Sequence, residues 1–210
     1  MSTAPRKHTD RTETGVDVSD LGGDVDWTGH WQHGKRFAYV RATDGTGYVE
    51  PGFRRQYAES FDVGMIRGAY HVALPDRSSG AEQAELFVDN GGAWSGDGMT
   101  LPGALDLGYN PYGKACFGMS KAGLSEWVLE FSETYREWTG RHPVVYTSPS
   151  WWRRSAGADV GQVSPLWVAR HSAAPGALPV TRGVYPVWHH VAAPADHDER
   201  IRVMTVSAFA

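Results

Sequence analysis

A chain of 210 residues with a formal charge of −4 fits one domain and can bury a substantial core. Its basic and acidic residues are interspersed, which leaves no positive face for a phosphate backbone or an anionic bilayer. No apolar run is long enough to cross a membrane, so nucleic acid and membrane are excluded as partners and a monomer is expected.

Residues 1–14 form a polar leader without the apolar centre of a secretory signal. A cytoplasmic protein, or one exported by a non-standard route, is expected, with a single domain over 15–210. The lone Cys116 has no partner for an internal disulfide and reads as an inert, buried thiol.

From residue 15 onward, short runs rich in β-branched and aromatic residues alternate with amphipathic stretches, the pattern of repeated strand-then-helix units. Strands are predicted at 15–19, 37–42, 66–73, 103–107, 143–147, 166–170 and 186–190, and a last apolar run at 203–209 makes eight. Helical spacing appears at 53–63 and 81–90 and is strongest over 121–139, where Leu124, Trp127, Val128, Phe131 and Tyr135 share one stripe. Ser120 is placed to cap that helix and Gly140 to stop it. Later strands follow too closely for full helices between them. The predicted fold is an α/β protein: a flattened, TIM-like β/α barrel with helices missing from its last third.

In such a barrel the strand C-termini open onto one face, where side chains converge on a single pocket. Several predicted strands end in polar or aromatic residues: Asp17, Asp44, Tyr70 and His71, Asp106, Tyr146, and Trp188 with His189. A single strand-end Asp can equally cap a turn. Two acids flanked by apolar strand residues on separate strands favour a site, because an unpaired buried carboxylate is costly.

The segments GVDVSD, RATDGTGYVEPGF, GAYHVALP, ALDLGYNPYG, RHPVVYTSPSWW, SPLWVAR and VWHH, in this order, resemble the block pattern of glycoside hydrolase family 25 lysozymes. The resemblance runs from about residue 15 to about residue 198. It implies hydrolysis of the β-1,4 bond between N-acetylmuramic acid and N-acetylglucosamine in peptidoglycan, with retention and without metal or cofactor. By that resemblance Asp106 assists or stabilises, Asp17 matches the acid of the first strand, and Asp198 the late acid of the same pocket. Tyr70, Tyr146 and Trp188 correspond to groove-lining aromatics.

The family's general acid is a Glu two residues beyond the fourth-strand Asp, and here that position is Gly108. Alternation along a strand puts such residues on one face, roughly 6–7 Å apart. Glycine has no proton to give, so impaired cleavage is predicted. Asp44, its pKa raised by a neighbouring Asp106 anion, and His189 are the candidate substitute acids. The resemblance also implies a cysteine facing Cys116, where this chain has Ser155. The alternatives are a non-catalytic barrel that binds peptidoglycan or a related amino-sugar glycan, and an intracellular interaction protein.

Overall fold

The computed structural model describes residues 12–18, 23–110, 112–156, 164–169, 187–189 and 201–207; residues 12, 169, 187–189 and 201–207 are described by backbone alone. Nine strands appear: β1 (Thr12–Val18), β2 (Lys35–Asp44), β3 (Tyr48–Val49), β4 (Ile66–Val72), β5 (Ala104–Asp106), β6 (Val144–Thr147), β7 (Leu166–Ala169), β8 (Val187–His189) and β9 (Ile201–Ser207). All eight predicted strands are present. β3 is an addition, a short antiparallel hairpin on β2.

The hydrogen-bonded order runs β1-β9-β8-β7-β6-β5-β4-β2, and β1 pairs with β2 to close the ring. Six of the eight junctions are parallel; β9 is antiparallel to both β8 and β1. Closure leaves the strands buried on both faces, which is why their sequences read as continuous apolar runs. In β2, Phe37 and Tyr39 pack inside the barrel with Tyr70, Leu101, Ala104, Val144 and Trp167, whereas Ala38 and Val40 join the larger cluster beneath the helices.

The helices are α1 (Trp27–Gln32), α2 (Phe53–Asp62), α3 (Gly80–Phe87), α4 (Lys121–Thr139) and α5 (Pro149–Ser155). In α4 the predicted cap and stop both form. Ser120 accepts from the Gly123 amide, and Gly140 takes the left-handed conformation, φ 77°. α3 ends three residues before the predicted point and passes into a π turn over Val88–Gly92, where Gly91 has φ 101°. Two short helices were not expected. Asp26 caps α1, and α5 fits seven residues between β6 and β7 with Ser148 as cap and Pro149 in its first turn. Among the described residues no helix follows α5.

Two contacts fix the site-bearing strands against this outer layer. The Tyr135 hydroxyl on α4 accepts from the Gly103 amide at 2.6 Å and donates to the Gly92 carbonyl at 2.8 Å, tying the entry of β5 to the π turn. Its burial pushes the phenol up to about 12, so it stays a donor. Gly80 lies where a Cβ would come within 2.4 Å of the Trp127 carbonyl, and its hydrogen lets α3 and α4 touch.

Cys116, expected to be buried, is half-buried, and its Sγ lies 2.9 Å from Ser155 Oγ. That puts the two positions at disulfide range across 39 residues of chain. Ser155→Cys is expected to oxidise to one intramolecular bridge and raise stability by about 2 kcal/mol. Urea unfolding with and without reductant checks this; equal midpoints would show that no bridge forms.

Candidate active site

Asp17 on β1, Tyr70 on β4, Ala104 and Asp106 on β5, Tyr146 on β6 and Trp167 on β7 line one narrow cavity inside the barrel. The strand registers explain the convergence. Tyr70 is opposite Ala104, Asp106 is opposite Tyr146, and Tyr146 is opposite Trp167. Neighbours in register present side chains to the same face, and Ala104 is the small residue that leaves space among them. Phe37, Tyr39, Leu101 and Val144 fill the barrel around it. Tyr39 donates to the Pro102 carbonyl at 2.9 Å, and burial pushes its hydroxyl far above the usual phenol range.

Four of the sequence-predicted residues, Asp17, Asp106, Tyr70 and Tyr146, are therefore brought together. Asp17 is buried and Asp106 half-buried. Two carboxyl groups between aromatic walls suit a ligand that offers hydroxyl or amide donors and flat sugar faces. Among the described residues no three His, Cys, Asp or Glu side chains converge as metal ligands.

Gly108 continues the line of Asp106. The Leu107 amide donates to the Tyr146 carbonyl at 3.0 Å, so strand-like pairing persists one residue past β5 and residue 108 returns to the face of Asp106. A Cβ built there meets nothing within 4 Å. The position that the family resemblance gives to a proton donor is open space.

Asp44 lies elsewhere. It lines a second, more open groove with Arg41, Tyr48, Leu74, Arg77 and Tyr112. A register irregularity between Arg41 and Thr43 sets it opposite Val72, itself opposite Asp106, so two strand spacings, about 10 Å, separate the two backbones. Arg41 Nη2 donates to Asp44 Oδ2 at 2.5 Å. The Asp44 pKa is raised, as expected, but the cause is different: burial supplies the push, and the Arg41 guanidinium opposes it.

His71, another strand-end residue, turns out of the barrel towards α3. Its Nδ1 is 2.7 Å from Thr43 Oγ1 and its Nε2 is 2.9 Å from Gln83 Oε1. In the β7–β8 register Trp188 sits opposite Val168 and His189 opposite Ala169; the side chains of β8, and all of Asp198, lie outside the described residues. Trp167, like Ala104, is a cavity residue that the sequence reading passed over. Its signal was the alternation of SPLWVAR, which puts it on the face opposite to Leu166 and Val168, both members of the outer cluster.

The family described as glycosyl hydrolases family 25 matches residues 16–194 of this chain. Lysozyme M1 of Streptomyces globisporus is 40% identical over 176 residues, 83% of this chain and 59% of that protein. An N,O-diacetylmuramidase of a Chalaropsis species is 40% identical over 185 residues, 85% of this chain and 88% of its own length. The muramidase structure from Acremonium alcalophilum superposes with a TM-score of 0.86 at 39% identity, covering 94% of each chain. The chain thus spans under two thirds of the Streptomyces relative and most of the fungal ones.

Proposed function

Since the chain belongs to family 25 of the glycosyl hydrolases, we propose that it binds peptidoglycan as a muramidase does but cleaves it poorly, because residue 108 carries no acid. In this reading the cavity holds the sugar at the β-1,4 bond between N-acetylmuramic acid and N-acetylglucosamine. Asp106 supports the positive charge that develops as the bond breaks, helped by Asp17 and by Asp198. Tyr70, Tyr146 and Trp188 form the walls. The glycosidic oxygen is a poor leaving group unless protonated, and a positioned acid is worth on the order of 10²- to 10⁴-fold in rate.

One observation carries the reading: Asp17, Asp106 and their aromatic neighbours share a cavity, while the adjoining residue 108 is a glycine facing open space. In this reading Asp44 stands apart from the vacant position. Its carboxyl is paired with Arg41 at 2.5 Å in a different groove, two strand spacings from Asp106. The test is cosedimentation with insoluble peptidoglycan together with measurement of reducing sugar. Retention on the polymer with release far below that of an active family 25 enzyme is the expected result. Fast release by the unaltered chain would overturn the lesion, and failure to sediment would overturn the binding.

A further inference from the structure

The second groove has no part in the reading above. It measures about 530 Å³, within the range of ligand sites, and Arg41, Asp44, Tyr48, Arg77 and Tyr112 line it. Asp44 and Asp106 both stand opposite Val72, at the C-terminal ends of their strands. The groove therefore lies at the same end of the barrel as the Asp17–Asp106 cavity, about 10 Å along the rim. Its charges are unequally satisfied. Arg41 donates to Asp44 at 2.5 Å, so that pair is neutralised within the wall. Arg77 has a 60% exposed side chain, and its one ion pair among the described residues is to Asp76 at 4.0 Å, too long for a hydrogen bond. Asp76 itself accepts from Asn110. The Tyr48 hydroxyl donates to Glu50, whereas Tyr112 is 63% exposed. A guanidinium with no close carboxylate, beside an exposed phenol, suits a ligand carboxylate, which it can take through two parallel N–H donors.

We infer that this groove is a subsite for the peptide stem of peptidoglycan, in which Arg77 takes the α-carboxylate of the stem's isoglutamate. The inference rests on the glycan-binding reading above, since the cavity must hold the muramic acid from which the stem hangs. Neutral sugars have no use for a guanidinium. Once the lactyl group of muramic acid is joined to the stem as an amide, the disaccharide carries no charge, and the carboxylates sit on the stem. The reach matches. The lactyl group and the first amino acid span about 7 Å when extended, and the second amino acid brings its carboxylate to about 10 Å. The backbones of Asp106 and Asp44 are two strand spacings apart, the same distance. A bare lactyl carboxylate, one unit from the sugar ring, reaches only about 3.5 Å and stays at the cavity. Arg77 binds and orients the stem in this scheme and takes no part in bond cleavage.

The test is a binding cycle with two proteins and three tetrasaccharides of alternating N-acetylglucosamine and N-acetylmuramic acid. One ligand carries L-alanyl-D-isoglutamate stems, one carries the same stems with the isoglutamate α-carboxylate amidated, and one carries bare lactyl carboxylates. The proteins are the unaltered chain and Arg77→Gln, a change at an exposed side chain that leaves the core untouched. The unaltered chain is expected to bind the acidic stem about tenfold more tightly than the amidated one, and Arg77→Gln to bind the two alike. Added salt should shrink the preference of the unaltered chain, because the pair is open to solvent. Equal affinity of the unaltered chain for acidic and amidated stems would overturn the inference, as would a preference that survives in Arg77→Gln. Bare lactyl carboxylates that bind as tightly as the acidic stem, with the same loss in Arg77→Gln, would also overturn it by placing the recognised carboxylate on the sugar. In each of these cases glycan binding stands. If the unaltered chain binds none of the three ligands, the glycan-binding reading itself falls, and this inference with it.

Discussion

Gly108→Glu is expected to raise the release of reducing sugar from purified peptidoglycan by about 10²-fold or more, the usual worth of a positioned general acid. The backbone is ready for it. A Cβ at 108 meets nothing within 4 Å, and the residue does not sit in the left-handed region that only glycine tolerates easily. Pairing through Leu107 to the Tyr146 carbonyl keeps residues 106 and 108 on one face. A carboxyl there would stand beside the Asp106 anion, which lifts its pKa and keeps it protonated into the mildly acidic range. The restored activity should accordingly peak below neutrality. Asp106→Asn added to Gly108→Glu should remove most of the gain. If Gly108→Glu is no more active than its parent, the site has decayed at more than one residue and the single-lesion account is wrong.

How much of this was legible beforehand follows from which signals are local. The strands were found because closure buries both their faces, so that runs such as 37–42 and 66–73 are mostly apolar, with Arg41, Arg67 and His71 as the exceptions. Helix α4 was found with its cap and stop because nineteen residues give periodicity room to repeat. Helices α1 and α5, at six and seven residues, are too short for a stripe to repeat, so periodicity could not show them. The reversal of β9 left no local trace, because strand direction is set by pairing partners far along the chain. At the site, Asp17, Tyr70, Asp106 and Tyr146 were legible as strand-end residues. The bulge after Arg41 was not, and it decides that Asp44 answers to Arg41 in its own groove. Trp167 was hidden in a run that reads equally well as plain core.

Stability should fall by about 3 kcal/mol as pH drops from about 6.5 to about 4, and His71 should carry that loss. The imidazole is fully buried between β4 and α3, against Phe131 at 5.4 Å and Phe87 at 5.7 Å. Desolvation is the main cause of a folded-state pKa lowered from 6.5 to about 4; the hydrogen bond to Gln83 opposes it, and the Arg41 charge adds to it. The unfolded chain takes up the proton near 6.5, the folded one only near 4, so between those values the unfolded state binds more protons and stability rises with pH. The contribution is present in full above about 6.5 and is lost by about 4, and the gap at about 1.4 kcal/mol per pH unit gives the figure above. Urea midpoints measured across that range should slope less steeply in His71→Gln than in the unaltered chain. Parallel slopes would assign the acid sensitivity to another group. His71 follows Tyr70, a wall of the cavity, so protonation that loosens β4 from α3 should also loosen that cavity. The acid needed by Gly108→Glu then works against the fold that holds it, and the optimum of the restored enzyme should lie where these two opposing demands cross.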